Sequence, residues 1–175
     1  KIIKLKVDII NNSWGSSGGP DYAQALINTV LNEYTSLIVA SSGNAGTNIA
    51  NYPAAFEGVM SVTSTSEGSV FSCWATRHET VDIAAPGDNI NSAWKNSKYS
   101  YNSIGGTSMA APVVSGAAAL IKAANPDLTA PDIRRVLLAS ARRNPKLKGL
   151  AGQNGLQLDL EEAVKRSKQW KGNQS

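Results

Sequence analysis

Apolar residues along the chain fall into runs whose periods change from segment to segment. Residues 5–13 (LKVDIINNS) form an apolar run without clean alternation, the pattern of a parallel strand buried on both faces. After the turn Gly15–Pro20, Tyr22, Leu26, Val30 and Tyr34, with Ile27 and Leu31, recur at helical spacing. Asp21 as N-cap with Gln24 three residues on predicts a capping box at that helix's start. Residues 36–41 (SLIVAS) and 58–64 (GVMSVTS) read as two more buried strands. A β-α-β order of this kind implies a right-handed crossover and a doubly wound, mostly parallel α/β sheet with helices on both faces.

Residues 65–107 are rich in Ser, Thr, Asn and Gly, and read as loops with minor strands such as Val81–Ala84. From Ser108 to Ala124 nearly every residue is small or apolar, the mark of a central buried helix, with Pro112 tolerable in its first turn. Thr129, Pro131 and Asp132 signal another helix start, with Ile133, Val136, Leu137 and Ala141 as its buried face. A last helix is expected from Asp159 to Lys168. No repeat or linker divides the 175 residues, so they are expected to form a single partial domain.

The formal charge is +4, with eleven of the seventeen Lys and Arg residues beyond position 120. They fall on helical stretches and a basic tail, with no aromatic platform for bases, so a solvated face is expected and no nucleic-acid partner. No apolar stretch is read as a membrane span, and no membrane partner is expected. Cys73 is alone, which leaves no internal disulfide and no cysteine metal cluster. It is expected to be a buried small residue rather than a reactive thiol.

The chemistry-bearing segment is Gly105-Gly-Thr-Ser-Met-Ala-Ala-Pro-Val-Val-Ser-Gly116, where a serine sits between a glycine loop and a helix. Glycines let a substrate backbone approach, and the helix's positive end favours the anion that develops in acyl transfer. The same serine could equally be a helix N-cap. Gly15-Ser-Ser-Gly-Gly19 also matches the G-x-S-x-G elbow of another hydrolase class. The required acid and histidine have no supporting context there, so it reads as a loop.

GTSMAAP followed by an Ala-rich helix resembles the nucleophile motif of the subtilisin-like serine proteases. Four further stretches agree in chain order. Asn12-Ser-Trp-Gly15 is similar to the family's substrate-binding strand, Ser41-Ser-Gly-Asn-Ala-Gly46 to its oxyanion-hole segment, and Asp82–Gly87 with Gly155–Leu160 to later landmarks. The resemblance implies a serine endopeptidase with catalytic Ser108 and Asn44, and a cleft lined by Ser13, Trp14, Gly15, Ser41, Ser42 and Gly43. It implies a polypeptide substrate, no required cofactor, structural calcium in some members, and secretion. No acidic cluster in the sequence marks a calcium or other metal site.

Two departures stand out. The family places a histidine directly after the motif's proline, where this chain has Val113. The Asp and His that activate the serine come upstream in this family, and neither of their motifs is present. His78, the one histidine, is read as a solvated loop residue. The chain is therefore expected to be the C-terminal half of a catalytic domain, inert and poorly stable alone, whose partner is the N-terminal half carrying Asp and His. The alternative is a pseudoprotease, a catalytically dead scaffold kept for binding or regulation.

Overall fold

The computed structural model describes residues 7–34, 36–95, 98–150 and 154–172. Its centre is a seven-stranded sheet with main strand order β1-β2-β3-β5-β9-β8. The strands are β1 (Ile9–Asn12), β2 (Leu37–Ser41), β3 (Met60–Ser66), β4 (Val70–Phe71), β5 (Ile83–Pro86), β8 (Arg142–Arg143) and β9 (Leu156–Gln157). Pairings along β1-β2-β3-β5-β9 are parallel, while β3–β4 and β8–β9 are antiparallel. A separate hairpin of β6 (Ile90–Ala93) and β7 (Tyr101–Ile104) leads into the glycine loop before Ser108.

Alternation along β2 shows how both faces are covered. Leu37 and Val39 point into a core shared with Met60, Val62 and Ile83 and with helices α2 (Thr107–Ala124), α3 (Ala130–Ser140) and α4 (Leu160–Ser167). Ile38 and Ala40 point the other way, against Ile27, Val30 and Leu31 of α1 (Asp21–Tyr34). The expected α/β sheet with helices on both faces is present. Thr129 caps α3 through a full capping box: Thr129 Oγ1 accepts from the Asp132 backbone, and Asp132 accepts from the Thr129 backbone.

Several expectations change. The α1 stripe is rotated: Tyr22 and Leu26 are 71% and 62% exposed, because the β2 face is met by the row containing Ile27, Val30 and Leu31. The Gln24 side chain engages Asn28 and the Glu57 backbone. The side chain of Asp21, and residues 5 and 6 of the first run, lie outside the described residues. The first strand is the short, half-buried β1 at the edge of the sheet among the described residues, with Ile9 packed against one core and Ile10 against the other. The stretch read as minor becomes β5, buried inside the sheet between β3 and β9. Finally, α2 is by length and composition apolar enough to cross a membrane, with a mean hydropathy of 1.3 over 18 residues. Seven of those residues, from Thr107 to Ile121, are buried in this fold, while Leu120 is half-exposed on the opposite side.

The basic residues of the C-terminal part are partly neutralised. Arg134 pairs with Asp82, Arg135 with Asp132, Arg166 with Glu162, and Lys122 with Asp8. Cys73 is exposed rather than buried, because it sits at the head of an outer loop.

Candidate active site

Parallel strands deliver their C-terminal ends to one edge of a sheet, which is where ligands of open α/β folds bind. Here β1 ends at Asn12 and β2 at Ser41, so Ser13–Gly15 and Ser42–Asn44 emerge side by side, facing the N-terminus of α2. Gly106 is the α2 N-cap, which makes Ser108 the second residue of the helix and not its cap. The backbone N–H at that position has no acceptor within the helix and is free to meet an anion.

Ser13 and Ser108 are tied reciprocally. Ser13 Oγ donates to the Ser108 carbonyl at 2.8 Å, and Ser108 Oγ donates to the Ser13 carbonyl at 3.1 Å. Asn11 Nδ2 donates to Ser13 Oγ at 2.9 Å, and Ser115 Oγ donates to Asn11 Oδ1 at 3.0 Å, extending this polar chain from β1 to α2. No imidazole holds Ser108. The His78 ring is held by Thr80 through Nδ1, so the structure does not bring His78 to the serine.

Thr107 fixes Asn44 from the other side. Its backbone N–H and its hydroxyl both donate to Asn44 Oδ1, at 3.0 and 2.9 Å. Thr107 Oγ1 in turn accepts from Gly43 N at 3.1 Å, and the residue is fully buried. With Oδ1 occupied, Nδ2 is the outward end of the amide. A Cβ built on Gly106 would lie 3.6 Å from both Asn44 Nδ2 and Ser108 N. The bare α-carbon of Gly106 therefore leaves a space flanked by two N–H donors, beside a serine hydroxyl. That is the geometry of a receptor for a developing oxyanion.

Gly43 must be glycine for two reasons. Its φ is +102°, and a Cβ would come within 2.9 Å of Thr76 Oγ1. Of the predicted cleft residues, Trp14 and Gly15 are exposed and Ser13 is half-buried. Ser41 and Ser42 are each only 2% exposed, so their side chains form the wall behind the cleft rather than its lining. Asn51 lies between Gly15 and Gly43 and donates through Nδ2 to the Ser41 carbonyl at 3.2 Å. It precedes the cis peptide Tyr52–Pro53, and Tyr52 pairs with Ser16. Sequence reasoning missed Thr107, although it was visible as the middle of the Gly-Thr-Ser segment; residues 51–55 were counted with the cleft, without a role for Asn51 itself.

Val113 is half-buried and packs against the main core. Ser17 is exposed in the loop before α1, four residues short of the helix, which is not a strand–elbow–helix arrangement. Among the described residues no three or more His, Cys, Asp or Glu side chains gather where they could hold a metal. Burial holds the carboxyl of Asp82 above its usual range despite the Arg134 guanidinium nearby. The Thr129 hydroxyl holds that of Asp132 below it.

A family model described as "Subtilase family" matches residues 1–158. The "Thermostable alkaline protease" of Halalkalibacterium halodurans is 37% identical over 133 residues, covering 76% of this chain and 36% of that protein. The "Major intracellular serine protease" of Bacillus subtilis is 42% identical over 126 residues, covering 69% and 38%. A protease structure from Pseudoalteromonas arctica superimposes with a TM-score of 0.83 at 30% identity, covering 92% of this chain and 51% of that one. The chain thus spans roughly a third to a half of the length of these proteins.

Proposed function

The chain belongs to the subtilase family of serine proteases, and on that premise we propose that it supplies the nucleophile and oxyanion hole of an endopeptidase catalytic domain. The observation that carries this reading is the pairing of Asn44 Nδ2 and Ser108 N around Gly106, next to the Ser108 hydroxyl. In the proposed reaction a base takes the Ser108 hydroxyl proton as Oγ attacks the scissile carbonyl carbon. The oxygen of that carbonyl gains the electron pair and is held by the two N–H donors. Collapse expels the amine, which receives the proton from the base, and water then hydrolyses the acyl-enzyme.

The base and its orienting carboxylate are an upstream His and Asp, carried by another segment or chain, the N-terminal half. At rest, Ser108 Oγ donates to Ser13 O, so an arriving imidazole must win that proton from a neutral carbonyl. Polypeptide substrates lie along Ser13–Gly15 by β-augmentation. Residues 11–15, 39–46 and 51–55 contain no carboxylate, which favours an uncharged side chain before the cut. No cofactor takes part. Secretion follows from the resemblance alone, and the Bacillus subtilis relative is named as intracellular.

The test is a serine-directed fluorophosphonate on the complete protease. Ser108 is labelled, and Ser108→Ala abolishes the label. Label on Ser17 instead would restore the elbow reading, and no label on a folded, intact protein would favour the pseudoprotease.

A further inference from the structure

The loop Cys73–Arg77 carries none of the residues assigned above, yet it is laced to the Asn44 turn along its length. Gly46 N donates to Trp74 O at 2.9 Å, Thr76 N to Gly43 O at 2.8 Å, and Arg77 N to Thr47 O at 2.9 Å. Arg77 Nη2 adds a bond to Gly46 O at 2.6 Å. Thr63 Oγ1 donates to Thr76 O at 3.4 Å and anchors the loop to β3. The Trp74 side chain reaches in another direction. A Cβ built on Gly105 would meet Trp74 Cζ2 at 3.3 Å, so the indole lies against the segment leading into Ser108.

One residue therefore touches both segments that carry the oxyanion donors. Its backbone holds the Asn44 turn, and its ring abuts Gly105. We infer that Trp74 is a positioning residue that sets the separation between Asn44 Nδ2 and Ser108 N. The inference rests on reading those two groups as oxyanion donors. The turn needs such a brace: Gly43 and Gly46 both have positive φ, and Asn44 is exposed. Thr107 restrains it from one side only. A rigid aromatic plane is suited to fixing a gap between two loops. Misplacing a reacting group by about 1 Å can cost on the order of a hundredfold in rate.

The experiment compares Trp74→Ala and Trp74→Phe with wild type in the complete protease, each also in an Asn44→Ala background. It measures kcat and KM on a peptide amide, thermal melting, and amide exchange at Gly46 and Thr76. Trp74→Ala should lower kcat by about tenfold to a hundredfold with KM little changed, and speed exchange at both amides. Trp74→Phe should restore most of the rate, and Trp74→Ala should add almost nothing once Asn44 is gone. If Trp74→Ala lowers the melt, Trp74→Leu takes its place under the same criteria. Equal losses in both backgrounds, or wild-type kcat and exchange in the alanine variant, would overturn the inference. If Asn44→Ala leaves kcat unchanged, the oxyanion reading itself fails, and this inference fails with it.

Discussion

Replacing Gly106 by alanine should separate stability from catalysis. Its φ of 167° is extended backbone that any residue adopts, so the new side chain adds no backbone strain. The methyl would sit 3.3 Å from Met109 Sδ, on a flexible side chain that can yield, and 3.6 Å from Asn44 Nδ2 and Ser108 N. Loss of chain freedom in the unfolded state favours alanine by about 0.4–1 kcal/mol, while alanine is a poorer N-cap than glycine by a similar amount. Stability should then change by less than about 1 kcal/mol. Turnover should not survive so well, because the methyl fills the space between the two donors. One such donor is worth about 2.7–4 kcal/mol, a figure taken from a subtilisin itself, so blocking even one removes about a hundredfold to a thousandfold and blocking both removes more. The assay is kcat/KM on a chromogenic peptide amide with a parallel thermal melt. A variant that melts like wild type and retains more than a tenth of its activity would show that the oxyanion does not use this space.

Thr107→Val keeps the shape but removes two hydrogen bonds and leaves Gly43 N without its acceptor; about 1–3 kcal/mol of stability should go, with kcat falling roughly tenfold and KM steady, as steady-state kinetics and a melt would show. Asn51→Asp places a carboxylate between Gly15 and Gly43, and a peptide-library profile should then shift toward Lys and Arg before the cut. Asp132→Ala removes half of a capping box and should cost about 0.5–2 kcal/mol near neutral pH. Because the folded-state pKa of Asp132 is depressed, that contribution is present above the unfolded value, and it fades as pH falls through the folded one. Melts of the variant and wild type should therefore converge in acid.

The elements legible in the sequence were those with a strong local signature. Thr129, Pro131 and Asp132 announced α3 because a capping box is a contact between neighbours in sequence. The Gly-Thr-Ser segment likewise announced a serine at the start of the buried helix α2, a feature written in neighbouring residues. The phase of α1 was not legible: Leu26 is as apolar as Ile27, Val30 and Leu31, and only the position of β2 decides which row is buried. Likewise β5 is a short, Ala-rich piece whose burial comes from β3 and β9, elements distant in the chain. The contacts of Asn51 and Trp74 join segments distant in the chain, which no local pattern encodes.

Asn51 also bears on how such a protein can change over evolutionary time. It stands against Gly15 on one side and against Gly43 and the Ser41 carbonyl on the other. A replacement that reshapes what the cleft admits therefore also disturbs the turn that precedes Asn44. On the proposed reading, preference and speed would be inherited through a single joint, and a lineage drifting toward a new diet would pass through slower ancestors until a compensating change near Gly43 or Thr76 reset the turn.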